Sequence, residues 1–190
     1  MTHPLVERIE FLRRGMAVRR FHTVPGECET VGHHSAGVAL LIATLNPFCS
    51  AALLKAALTH DLAEWVTGDV PAQVKWANPQ LADDWEQLEQ GIMKEWNLDA
   101  GALTADELLW LKWCDTLDLM LHARDQMRLG NSYYRLIYER GAQRFEKDLD
   151  EEKGPMAVRA YYVRLAEDYR REFGAFRGYE DSNPRSYDNG

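Results

Sequence analysis

A histidine and an aspartate stand side by side, His60-Asp61, within the run AALLKAALTHDLAEWVTGD, and this pair most constrains how the chain can fold. The Ala and Leu around it follow the spacing of a buried helix. A carboxylate buried there without a partner costs several kcal/mol, or shifts its pKa until it is neutral. A divalent cation partners both groups at once. Two further residues would complete its shell, His34 in VGHHS and Asp115 in LKWCDTLDL. The order His, His-Asp, Asp reads as a dispersed metal site.

The rest of the composition sets bounds. A chain of 190 residues, 46% apolar and 27% charged, matches an ordinary soluble globular protein and can bury a substantial core. No apolar stretch approaches the roughly 20 residues of a membrane span. The start, MTHPLVERIEFLRR, lacks a secretory pattern, so the expectation is a cytoplasmic protein without a membrane partner. Cys28, Cys49 and Cys114 are odd in number and lack CxxC spacing, which favours reduced thiols over a disulfide framework. The net charge of -8 argues against nucleic-acid binding. It leaves room for a small anionic substrate, because a cation and a few basic residues reverse the field locally.

The pattern predicts an all-α chain. Pro4 suits a first helical position, followed by VERIEFLRRGMAVRR, with 22–30 as a loop broken by Pro25 and Gly26. Val31, Val38, Leu41, Ile42 and Leu45 mark a helix over 31–45, which Asn46-Pro47 ends. Ser50 caps the next helix, predicted to run to about Thr67. Pro71 and Pro79 open a short and a longer helix, the latter to Trp96. Thr104 and Glu107 have capping-box form and open a long helix to about Leu129. Gly154-Pro155 precede the final helix, ending near Phe176, and EKDLDEEK (146–153) reads as a solvated turn. One helical domain is expected over 1–176, with a polar, flexible tail over 177–190.

At about 100° per residue, His34 falls on the stripe of Val31, Val38 and Leu41, whereas His33 lies off it. His60 shares a face with Leu53, Ala56, Ala57 and Glu64, with Asp61 one step round. Asp115 shares a face with Leu108, Leu111, Leu119 and His122, on a helix apolar nearly all round and so central to the bundle.

Each residue alone has a structural reading. An inward His is more often a hydrogen-bonded core residue, a buried Asp often pairs with Arg, and Arg19-Arg20 would usually be a solvated face. Trp65, Trp76, Trp85 and Trp96 read as packing. Together, two His and two Asp on inward faces of three helices favour a cation, because mutually repelling carboxylates make a poor core. Nitrogen and oxygen donors without sulfur suit Mn²⁺, Co²⁺, Fe²⁺, Ni²⁺ or Zn²⁺.

The pieces Arg20-Phe21, Val31-Gly-His-His34-Ser35, His60-Asp61-Leu-Ala-Glu64, Thr67-Gly-Asp69-Val-Pro71, Lys75 and Asp115 come in order over about residues 19–120. This set resembles the HD-domain phosphohydrolases, and more closely their YfbR-like 5'-deoxynucleotidase branch, including bacteriophage members that are dATP triphosphohydrolases. One departure is that His33 stands where the family has Glu. The resemblance implies an HD-type helical bundle with the metal site between central helices, and hydrolysis of the 5'-phosphoester of 2'-deoxynucleotides. It implies His34, His60, Asp61 and Asp115 as ligands of one divalent metal (Co, Mn or Zn), with additional Mg for a triphosphate. Catalytic roles fall to Glu64, which orients water or donates a proton, and to Asp69, which contacts the sugar or assists proton transfer. Arg20, Lys75 and Lys112 would bind phosphate, and Phe21 would stack on the base or serve as a core aromatic.

The substrate implied is a small-molecule deoxynucleotide, dATP or several deoxynucleoside monophosphates, in the host cytoplasm if the chain is phage-encoded. Surplus aromatics and the resemblance both suggest a homo-oligomer. Two rivals stay open: another HD hydrolase acting on ribonucleotides, and a nucleotide sensor that holds metal without turnover.

Overall fold

The computed structural model describes residues 3–26, 28–151 and 153–175, and all the regular structure among them is helical. The expected tail, 177–190, lies outside the described residues, as does the side chain of Trp76. No described helix is long and apolar enough to cross a membrane.

α1 (Leu5–Met16) stops four residues before the end of the basic run. Arg19 instead bridges to Thr30, and this pairing closes the loop between α1 and α2 (Val31–Leu45). Thr30 caps α2, its side chain accepting the His33 N–H at 3.2 Å. Ser50 caps α3 (Ala51–Thr59) in the same way.

The helix expected to reach Thr67 is divided. α3 ends at Thr59, a turn takes His60–Ala63, and α4 (Glu64–Thr67) resumes for one turn. The Ala and Leu run keeps helical spacing through this break, so periodicity could not mark it. α5 (Ala72–Ala77) and α6 (Pro79–Glu95) follow, with Pro79 at the start of the second. The Thr104–Glu107 capping box opens α7 (Ala105–Arg128). A short 3₁₀ turn (Ser132–Tyr134) leads into α8 (Arg135–Asp150), and α9 (Met156–Phe173) ends the described fold.

α8 corrects the expected solvated turn over 146–153, since its first five residues are helical. The signal was present, because Ile137, Tyr138, Ala142 and Phe145 repeat at helical spacing and are all buried. Trp65, expected in the core, is 45% exposed beneath the Arg14 guanidinium.

Two apolar clusters hold the helices together. The larger joins α2, α3, α7, α8 and α9 through residues such as Val38, Leu53, Leu117, Tyr138, Phe145 and Tyr169. The smaller joins α1, the start of α2, the 60–63 turn and the end of α6 through Phe11, Val31, Leu62, Ala63, Met93 and Leu98. His34 sits between Val31 and Val38, and His60-Asp61 between Ala57 and Leu62, so both segments cross the seam between the clusters. α7 runs centrally against α2, α3, α8 and α9.

Candidate metal centre

The break after α3 is what brings His60 and Asp61 to one point. Neighbours in a continuous helix diverge by about 100°. At the helix end His60 keeps helical angles, and its Nδ1 donates to the Ala57 carbonyl at 2.9 Å. That bond turns Nε2 away from the backbone, to 3.4 Å from Asp61 Oδ2 and 3.9 Å from Asp115 Oδ1.

His34 is fully buried on α2, and both ring nitrogens are engaged by α7. Nε2 meets Asp115 Oδ1 at 2.9 Å, and Nδ1 meets Asp118 Oδ2 at 2.7 Å. Asp61 Oδ2 lies 3.7 Å from the same Nε2, and the two imidazole centroids are 5.3 Å apart. The four residues expected as ligands are therefore brought together.

The donor set fits a divalent transition cation. Ligating atoms of His34, His60 and Asp61 lie within 4.8 Å of one another, and Asp115 touches His34 directly. His60 Nε2 is buried without a hydrogen bond, an orphan that a cation would satisfy. Burial alone would lower the His60 pKa, but the Asp61 and Asp115 carboxylates outweigh it and hold it at about 9. Burial opposes ionisation of Asp115, yet His60 and Arg20 keep its pKa below the ordinary value. Two nitrogens and two carboxylates without thiolate match metals such as Zn, Mn or Co.

A cavity of about 730 Å³ opens beside this cluster. Asp61, Glu64, Asp69 and Asp115 line it together with Arg20, Phe21 and Lys75. Arg20 lies 3.5 Å from Asp61, and burial, which works against its charge, is outweighed by Asp61, Asp115, Glu29 and Glu64. Glu64 is buried with Oε2 unpaired, and burial, with Asp61 and Asp69 adding repulsion, pushes its pKa up to about 9.

Asp69 Oδ2 accepts the Phe21 backbone N–H at 3.2 Å and lies 3.2 Å from His22 Nδ1. This contact holds Phe21 in the left-handed region, at φ 58°, where a bulky residue costs of order 1–3 kcal/mol. The Phe21 ring stacks on His122 at 5.2 Å and meets the edge of Tyr134.

Lys112 is not brought to this cavity. It is exposed and lines a small neighbouring hollow with Trp113, Thr116 and Arg144. His33 is exposed, 3.6 Å from Glu29, and makes no contact with the four-residue cluster among the described residues.

Sequence reasoning missed several residues. Asp118 lies one turn beyond Asp115, so its spacing was a usable signal. Glu29 sits in a loop without periodicity; it is buried 3.4 Å from His122, and burial raises its pKa to about 7 against the pull of Arg20. Arg140, Arg144 and Lys147 line the cavity from α8. Gly37, on α2 beside His34, has a role of its own: a Cβ there would lie 2.1 Å from Asp118 Oδ1. A side chain there would force the carboxylate that meets His34 to shift.

The sequence profile described as 5'-deoxynucleotidase YfbR-like matches residues 5–100. A 5'-deoxynucleotidase of Vibrio atlanticus is 27% identical over 110 residues, 50% of this chain and 55% of the relative, so the chain spans about half that relative's length. One from Cronobacter sakazakii is 26% identical over 175 residues, 76% of this chain and 84% of the relative. Among solved structures, the cyanophage S-2L HD phosphohydrolase DatZ, bound to dA and one catalytic Zn²⁺ ion, aligns at a TM-score of 0.60 and 21% identity. That alignment covers 90% of this chain and 99% of DatZ, a likeness of fold. With half of its length matched by the profile and its all-helical fold shared with an HD phosphohydrolase, the chain belongs to the YfbR-like family.

Proposed function

We propose that the protein is a metal-dependent phosphohydrolase that cleaves the 5'-phosphoester of 2'-deoxynucleotides. The observation that carries this reading is the convergence of His34, His60, Asp61 and Asp115 beside a cavity that Glu64 also lines. His34, His60, Asp61 and Asp115 would hold a divalent cation, which would supply Lewis acidity to a phosphoryl oxygen and a lowered pKa for water.

The chain's own groups do the rest. Hydrolysis forms a bond from water oxygen to phosphorus, breaks the bond from phosphorus to the 5' oxygen, and returns a proton to that oxygen. Glu64, which lines the cavity beside Asp61, is the donor to the leaving oxygen and recovers its proton from the attacking water. Asp118 grips His34 Nδ1 and fixes the ring so that Nε2 faces the cluster. Arg20 offers its guanidinium to phosphate beside Asp61, and Lys75 adds an ammonium from the cavity lining. Asp69, with Oδ2 committed to the Phe21 loop, sets where Arg20 and Phe21 stand over the sugar and base.

The dA bound by DatZ, which shares this fold, supports dATP as the leading candidate substrate. A second reading, a 5'-deoxynucleotidase of deoxynucleoside monophosphates, is favoured by the names of the Vibrio and Cronobacter relatives. Exposed Leu5, Val6 and Ile9 on α1 support a homo-oligomer, which light scattering would test.

The deciding experiment incubates metal-loaded protein with deoxy- and ribonucleoside mono- and triphosphates and resolves the products by chromatography. Turnover of dATP with release of tripolyphosphate supports the first reading, and release of orthophosphate from several deoxynucleoside monophosphates supports the second. Failure to hydrolyse any deoxynucleotide sinks both.

A further inference from the structure

We propose that the face of α8 formed by Arg140, Arg144 and Lys147 is a subsite for a polyphosphate, docking the phosphates of a nucleotide tail beyond the one that reacts. The inference rests on the deoxynucleotide reading above but concerns residues that reading does not use.

Three observations carry it. First, the three residues recur at intervals of four and three, so they stand on one helix face, spread over about 10 Å of its axis at 1.5 Å per residue. All three line the same cavity as Asp61, Glu64 and Asp115. Second, α8 packs directly on the helix that carries Asp115. A Cβ at Gly141 would lie 2.6 Å from Met120 Cγ and 3.8 Å from Thr116, the residue after Asp115. The bare backbone at position 141 therefore lets α8 approach α7 at this level, and the Arg144 charge is felt at Asp115.

Third, the charges of Arg144 and Lys147 are not spent on described carboxylates. No described carboxylate lies within 4.0 Å of the Arg144 or Lys147 nitrogens, and both side chains are exposed at the cavity. Arg20, by contrast, is committed to Asp61. In a chain with a net charge of -8, two long cations left beside four cavity carboxylates mark where a polyanion would lie. Guanidinium and ammonium groups in a row match successive phosphates.

The test is calorimetric titration of inorganic tripolyphosphate and of orthophosphate into chelator-dialysed protein. It compares wild type, Arg144→Gln/Lys147→Gln, and the charge-matched Arg164→Gln/Arg171→Gln on the exposed side of α9. The first pair should weaken tripolyphosphate by about tenfold or more, and the second by less than about twofold. Equal weakening by both pairs would reduce the effect to net charge and overturn the subsite. So would unchanged affinity in the α8 pair, or a wild type that binds tripolyphosphate no better than orthophosphate. In turnover assays the α8 pair should raise KM for a deoxynucleoside triphosphate and leave that for the monophosphate unchanged. Selective tripolyphosphate binding in a protein that hydrolyses no deoxynucleotide would sink the functional reading and leave the subsite standing.

Discussion

The packed layer of α8 and α9 and the seam crossed by His34 and His60 treat buried polar groups in opposite ways. Between α8 and α9, Tyr138 donates to the Leu165 carbonyl, Tyr162 to the Ala142 carbonyl and Tyr169 to Glu139. Stacked pairs, Tyr138 on Tyr169 and Phe145 on Tyr162, fill the space around them. At the seam, His60 Nε2, Arg20 Nη1, Glu64 Oε2 and Glu29 Oε2 are buried without a hydrogen-bond partner. The first region satisfies its tyrosine hydroxyls and so contributes stability. The second leaves donors and acceptors open, a cost that a fold tolerates where a ligand will complete them.

The sharpest way to break this contrast is at the seam. Asp61→Ala or Asp115→Ala should abolish metal retention and turnover together, with helicity kept, as read by metal analysis and circular dichroism. Turnover in either variant would remove that residue from the ligand set. Glu64→Gln should retain metal and lose about 10²–10⁴-fold in kcat. In the packed layer, Phe145→Ala should cost about 3–5 kcal/mol in denaturant unfolding, without changing metal stoichiometry in the folded protein. Asp118→Asn should weaken metal affinity by about 10–100-fold, measured by competition with a chelator.

The smallest expected effect is a pH dependence. Glu64 titrates at about 9 when folded, against 4.5 when exposed. Between these values the folded chain keeps a proton that the unfolded chain has lost, so this group's effect on stability worsens as pH rises from 4.5 towards 9. Thermal melts of chelator-dialysed Glu64→Gln should run above wild type by a few degrees at pH 8 and converge with it near pH 4. A constant gap across that range would mean Glu64 is not held protonated.

The site was legible where chemistry conflicted with pattern. His34, His60 and Asp115 stood out because each is polar on an apolar helical stripe, and all three are where that spacing put them. Asp61 reaches the cluster by a different geometry from the one expected, since the turn at 60–63 rather than a continuous helix aims it at His34. Lys112 shows the limit of face arithmetic, because three residues from Asp115 is close along α7 and yet outside the cavity. Arg144 and Lys147 were invisible for a different reason. Their relation to the cluster exists only through the packing of α8 on α7, and no local spacing encodes it. The extra helix α8 itself was readable from Ile137, Tyr138, Ala142 and Phe145, and the charged segment after them obscured it.

The room that Gly37 leaves for the Asp118 carboxylate has a consequence for variation at that position. A residue with no functional group, on the flank of a helix, should be as intolerant of replacement as a ligand. The smallest possible addition, one methyl group, strikes the carboxylate that steadies His34. In a saturation scan, position 37 should therefore segregate with His34 and Asp115 rather than with its helical neighbours Ala36 and Ala39. Its contribution is a volume kept empty, and loss of function there would carry no chemical signature of its own.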